Sequence, residues 1–309
     1  MKSRAKKILI AVGDSADSKN AVKYVAKMLS HVPNILFTLF TLESWIPESL
    51  IEGAKGDPEA KDQIGPFIHR NRDAADQLLN RLKHLMVHSG VSEDRIKMIA
   101  EPIRQGMAKD VLSRATKDHY DAVVIGRRGL TPTKDFFIGT TAAKIVEHAL
   151  DLPVWVVDED VVSKNVLLPV DGSDGALKTV KYVLDMIGEN PDVNVTLFHV
   201  LPHLRHYFSL ACEKENPHLE KIIQKEDEHQ MEVFLERVKG LADTPPLDLD
   251  LKVKMNSYDV STAILDEART GQYGTIAVGR RGERNAYFSG KVPMRLIQKL
   301  FGPVLWVVP

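Results

Sequence analysis

Gly126-Arg127-Arg128-Gly129 opens a segment that closes on Gly139-Thr140-Thr141. An apolar run, Ala122 to Ile125, leads into it, and a helical pattern from Thr140 to Leu150 leads out. A strand, a glycine-punctuated loop and a helix start, in that order, suit a phosphate. Glycine lets backbone approach a ligand and takes φ > 0 where a loop turns. The unpaired N–H groups and positive dipole end of a helix N-terminus favour an anion. On this reading Gly139 supplies the close approach, and the Thr140 and Thr141 hydroxyls add donors. A plainer reading stands beside it, in which Thr140 only caps its helix; glycine loops alone are a weak signal. Arg127 and Arg128 likewise read two ways, as planar forks for phosphate or as loop charges with no special task.

These residues sit in a duplicated frame. Lys6 to Ser15, KKILIAVGDS, reappears as Lys164 to Ser173, KNVLLPVDGS. Val123 to Gly129, VVIGRRG, reappears as Ile276 to Gly282, IAVGRRG, and Pro153-Val154-Trp155-Val156-Val157 reappears near Pro303 to Val308. Three matches in one order mean two copies of a domain, because solenoid repeats are far shorter. The expected domains are 1–158 and 164–309, with the boundary in the polar stretch Asp158 to Ser163.

Within copy one, strands are expected at Ile8–Val12, Ile35–Leu42, Ile96–Ala100, Ala122–Ile125 and Val154–Val157. Helices are expected at Asp17–His31, Phe67–Val87, Gly106–Thr116 and Thr140–Leu150, from apolar residues at helical spacing. Copy two repeats the order, and the charges from Glu213 to Lys239 read as the solvated face of its long helix. Strands alternating with helices predict an α/β fold of two tandem doubly wound domains, each a parallel sheet with helices on both faces. Ligands of such sheets bind beyond the carboxyl ends of the strands, where strand order reverses. Two long connections, Ser44–Pro66 and Pro202–Pro217, leave carboxyl ends of strands; they read either as lids or as contacts between the copies.

The spacing Gly126-x2-Gly129-x9-Gly139-Thr140 resembles the nucleotide-binding pattern of the ATP-binding branch of the universal stress protein family. The resemblance covers nearly the whole chain, in two copies. It implies a five-stranded sheet of order 3-2-1-4-5 in each domain, and ATP, with or without Mg²⁺, as the ligand. It also implies that last strands associate across a dimer, a pairing that the two halves of one chain, or two chains, would satisfy. The nucleotide-binding residues it implies in copy one are Val12, Gly13, Asp14, Ile125, Gly126, Arg128, Gly129, Gly139, Thr140 and Thr141.

The copies depart from the pattern differently. The family's first strand ends V-D-x-S, kept as Val170-Asp171-Gly172-Ser173; copy one reads Val12-Gly13-Asp14-Ser15, which puts its aspartate one residue late. Alternatively Ser15 and Ser173 merely cap the first helices. In copy two the loop is shorter: Gly279-x2-Gly282, seven residues, then Gly290-Lys291 in place of glycine and a hydroxyl residue. Val170, Asp171, Gly279, Gly282, Gly290 and Lys291 therefore form either a second nucleotide site or a degenerate copy, with Lys291 offering a point charge.

Composition narrows the function. With 44% apolar and 27% charged residues the chain reads as soluble and globular. A net charge of −1 gives no footprint for nucleic acid. One cysteine, Cys212, rules out an internal disulfide and suits a reducing compartment. The apolar stretch Ile8–Val12 is too short for a secretory signal, and no run matches a membrane span, so a cytoplasmic protein is expected. His199, His203 and His206 straddle Pro202 without a familiar metal spacing, and no metal site or catalytic residue is assigned. Three functions remain open. One is a nucleotide-responsive stress or signalling protein. The second is a slow ATP hydrolase or phosphotransferase, with Asp14 or Asp171 holding Mg²⁺. The third is a scaffold without nucleotide.

Overall fold

The structure, a computed structural model, describes residues 4–43, 50, 52–53, 56–128, 138–188, 190–202, 217–241, 249–257, 259–280 and 291–309. The chain divides into two compact units, Met1–Asp158 and Glu159–Pro309. In unit 1 the elements are β1 (Lys6–Ala11), α1 (Ala16–Leu29), β2 (Ile35–Glu43), α2 (Pro58–His88), β3 (Ile96–Pro102), α3 (Met107–Lys117), β4 (Ala122–Gly126), α4 (Thr140–His148) and β5 (Val154–Val157). Unit 2 holds β6 (Val166–Val170), α5 (Asp174–Ile187), β7 (Val195–Pro202), α6 (Pro217–Lys239), β8 (Leu249–Ser257), α7 (Val260–Thr270), β9 (Thr275–Gly279), α8 (Lys291–Lys299) and β10 (Val304–Val308).

The strands of unit 1 run parallel in the order β3-β2-β1-β4-β5, and those of unit 2 in the order β8-β7-β6-β9-β10. Both are 3-2-1-4-5 in local numbering, as expected. The central strands are apolar on both faces, and Ile8 to Ile10 and Ala122 to Val124 have no exposed surface. Parallel sheets of this kind must be covered on both sides. In unit 1, α1 and α2 pack together on one face, with α2 over β2 and β3, while α3 and α4 pack together on the other.

Register resolves an ambiguity in the repeat. Trp155 lies opposite Val124, and Trp306 lies opposite Ala277, the residue that follows Ile276 as Val124 follows Val123. The two tryptophans are therefore equivalent, although their flanking prolines differ by one position. Each meets an equivalent tyrosine edge to face: Tyr24 with Trp155 at 6.4 Å, and Tyr182 with Trp306 at 6.1 Å. Such pairs anchor a core through area as well as geometry.

The long helix of unit 1 begins earlier than its apolar pattern suggests. It starts at Pro58 and passes through Pro66, so part of the stretch expected as a connection is helix. Proline removes one ladder hydrogen bond, but buried Ala75, Leu78, Leu79, Leu82 and Met86 hold the remaining turns against the sheet. Residues 44–49, 51 and 54–55 of that connection, and 203–216 of its counterpart, lie outside the described residues. Arg95, in a short 3-10 turn before β3, donates to the carbonyls of Leu29, Ser30, Val32 and Ile35 and so closes the C-terminal end of α1.

Candidate functional site

In unit 1 a cavity of about 760 Å³ lies beyond the carboxyl ends of β1, β2 and β4. This is the switch point of the sheet, since β2 and β4 leave β1 on opposite sides. Much of its lining is apolar, with Phe40, Leu42, Met107, Val111, Ile138 and Ile145. Gly139, Thr140 and Thr141 at the start of α4 line it too, as do Ser15 and Ser18. Val12, Gly13, Ile125, Gly126 and Arg128 line it as well, so these expected residues converge from three separate segments.

The start of α4 differs from those of α1, α5 and α7 and resembles that of α3, whose N-cap Gly106 also offers no side-chain cap, although α3 carries Asp110 in its first turn. Ser15 caps α1 by accepting from the Ser18 amide, and Ser173 caps α5 by accepting from the Ala176 amide. The capping reading of both serines therefore holds. Asp259 caps α7 in the same way. α4 has glycine at its N-cap, no side-chain cap and no acid in its first turn. The Gly139 amide is itself occupied, donating to the Arg127 carbonyl at 2.8 Å, and so closes the base of the loop. The donors left over are the first-turn amides of α4 at Thr140, Thr141 and Ala142. The N–H of Gly139 is thus not among these donors.

Gly126 has a local reason to be glycine. A Cβ there would stand 2.9 Å from Asp17 Cβ and 3.1 Å from the Asp17 backbone carbon. The first turn of α1 presses against the end of β4, bringing Asp17 to the loop. Gly126→Ala is expected to cost about 1–3 kcal/mol through this overlap, read as a lower denaturation midpoint of the full chain; an unchanged midpoint would contradict the close approach.

That approach builds an ion network. The Asp17 carboxylate accepts from the Arg128 amide at 2.8 Å and from Arg128 Nε at 3.2 Å. The Arg128 Nη2 group donates to Asp158, and Arg127 Nε lies 3.9 Å from the same carboxylate. Asp17, Asp158 and Arg127 are buried. Burial pushes the Arg127 guanidinium below its ordinary range, with Asp158 opposing. Arg128 is pulled the same way by burial, but Asp158 and Asp17 together hold it above its ordinary value. Arg128 is thus neither a bare phosphate fork nor an idle loop charge. Neither acid was singled out from the sequence, because the partners stand 111 and 30 residues apart.

Other expected residues fall elsewhere. Asp14 does not line the cavity; its carboxylate is exposed and meets Arg81 Nη2 at 3.3 Å. The reason is local: unit 2 turns at Gly172 with φ 78°, whereas Asp14 occupies the equivalent position without a left-handed backbone. Gly129 lies outside the described residues. In unit 2, the Asp171 carboxylate accepts from the Ser173 amide at 3.1 Å and from its hydroxyl at 2.5 Å, an Asx-type turn into α5. The Val170 carbonyl accepts from His199, and Gly279 ends β9 opposite Val308. Gly282 and Gly290 lie outside the described residues, as does the Lys291 side chain at the head of α8. His203, His206 and Cys212 also lie outside them.

Among the described residues no group of three or more His, Cys, Asp or Glu is placed to hold a metal ion. Nor is any helix among them long and apolar enough to cross a membrane.

The sequence model of the universal stress protein family matches residues 4–158 and again 163–308. The chain belongs to the universal stress protein family. It is a tandem member, with one family domain in each unit. A universal stress protein from Archaeoglobus fulgidus DSM 4304 superposes with a TM-score of 0.65 at 16% identity, covering 99% of each chain. A functionally unknown protein from Pseudomonas aeruginosa PAO1 superposes at 0.62 and 13% identity, covering 98% of this chain and 92% of that one. At these identities the likeness is one of fold. A universal stress protein crystallised in complex with cAMP matches 50% of this chain at 14% identity, with a TM-score of 0.33. No curated protein shows significant sequence similarity to the chain.

Proposed function

We propose that unit 1 of this universal stress protein binds an adenine nucleotide, ATP, in the crevice beyond β1, β2 and β4, and that occupancy is the signal the protein passes on. The observation that carries the reading is the uncapped start of α4 opening into a cavity of nucleotide size. An anion there would meet three orphan amides, the positive end of the helix dipole and the hydroxyls of Thr140 and Thr141. The apolar part of the lining, with Leu42 and Met107, suits the flat face of a base. A ligand apolar at one end and phosphorylated at the other matches this mixed lining.

Mg²⁺ held by the protein does not fit these residues. Asp14 faces solvent and Arg81, and Asp171 is engaged by Ser173. No carboxylate residue is among the described lining residues, so a metal would arrive on the phosphates and keep its waters. Unit 2 differs at the corresponding wall, where buried His199 takes the place of Thr41 by register.

The test is a calorimetric titration of the full chain with ATP, after removal of copurified nucleotide. Saturable binding in the micromolar to low millimolar range, with release of heat, is expected. No binding at millimolar ATP would reject the reading.

A further inference from the structure

The charge of the unit 1 crevice is balanced by design of its own residues. Among the described lining residues, the side chains that carry charge are Arg127 and Arg128. Asp17 and Asp158 stand behind them, so two cations are matched by two anions in contact.

Unit 2 is built on the same sheet without these acids. Ser15 and Ser173 cap equivalent helices, which sets Asp17 against Gly175. Gly126 pairs with Val157 as Gly279 pairs with Val308, which sets Asp158 against Pro309. The arginines recur as Arg280 and Arg281, but neither acid does. The fold therefore forms without acids at these two positions, and Asp17 and Asp158 are a feature of the unit 1 crevice.

We infer that Asp17 and Asp158 are specificity-determining residues: by compensating Arg127 and Arg128 they leave the crevice near neutral, so that it selects a nucleotide by base, sugar and one phosphate and is nearly indifferent to further phosphates. The inference rests on the nucleotide reading above. A phosphate at the start of α4 is bound by fixed amides, whose number does not grow with the length of the phosphate chain. Additional phosphates would each need a cation, and the cations among the described lining residues are already engaged. Each added charge would feel the attraction of the arginines offset in part by Asp17 and Asp158 behind them, so the net Coulomb term is reduced. The occupant of the crevice then follows the composition of the adenylate pool.

The test compares AMP, ADP and ATP by titration on the full chain, wild type first. Affinities within roughly threefold of one another are expected. Asp17→Asn keeps an oxygen to accept from the Arg128 amide but removes the charge, and is expected to raise the ATP-to-AMP affinity ratio about tenfold. Asp17→Asn combined with Arg128→Gln should return the ratio to the wild-type value, which loss of local structure alone would not do. Asp158→Asn tests the other end of the fork if Asp17→Asn folds poorly. A wild-type preference for ATP over AMP of tenfold or more would overturn the inference, as would an unchanged ratio in a folded Asp17→Asn protein. If none of the three ligands binds the wild type, the nucleotide reading itself fails and takes this inference with it.

Discussion

Gly139→Asp is expected to weaken adenine-nucleotide binding about 10- to 100-fold, the worth of one to two charge-assisted hydrogen bonds, without loss of stability. Gly139 is the N-cap of α4, with φ −62° and ψ 147°, a backbone open to any residue. Aspartate is among the best N-cap residues, and placing it there should hold or raise stability by up to about 1 kcal/mol. Its carboxylate would accept from the first-turn amides and occupy the position proposed for phosphate, repelling an incoming anion as well. Most loss-of-binding substitutions also destabilise, which leaves their cause open; here the two readouts move in opposite directions. Gly139→Asn caps without charge and should fall between. Titration calorimetry and thermal denaturation of the same samples give both numbers. Undiminished binding by Gly139→Asp would show that the start of α4 is not the phosphate site.

Much of this architecture is legible from residue order. Apolar runs bounded by glycine, such as Ala122–Ile125, read directly as buried parallel strands, and the duplicated KKILIA and KNVLLP segments place β1 and β6. What escapes is contact between residues distant in sequence. Gly126 reads as a ligand-facing glycine, yet the first turn of α1 already forbids a side chain there. Arg128 reads as a phosphate fork, yet Asp17 and Asp158 reach it from other elements. Asp14 stands one residue from the family pattern, and the turn carries its side chain to Arg81. The long helix is expected only from Phe67, with Pro66 closing the connection before it, while the packing of α2 onto β2 and β3 accompanies a helix that runs through Pro66. The loop motif was visible because its meaning lies in spacing; the network behind it depends on which helix start meets which strand end.

The second large effect lies in unit 2, at His199. Its Nδ1 faces the Val170 carbonyl at 3.0 Å, and its Nε2 faces the Asp227 carboxylate at 2.8 Å. Both neighbours accept hydrogen bonds, so the doubly protonated ring satisfies both, and in that form it ties β6, β7 and α6 together. Burial alone would lower its pKa, but the Asp227 hydrogen bond and charge, with the Val170 carbonyl and the Asp171 carboxylate, outweigh burial and raise it above 6.5. A group whose folded pKa lies above its unfolded value binds its proton more tightly when folded. Its stabilisation is fully present below about pH 6.5 and is lost as pH rises through the folded value. Asp227→Asn removes the counter-charge from a buried cation and is expected to cost roughly 3 kcal/mol at pH 6, and less at pH 9, because the stabilisation is lost as pH rises through the folded value. Urea denaturation at the two pH values measures the difference, and the His199 ring resonances report its titration directly. A destabilisation equal at both pH values, or a His199 titration midpoint below 6.5, would show that the ring is neutral in the fold and that Asp227 serves only as a hydrogen-bond acceptor.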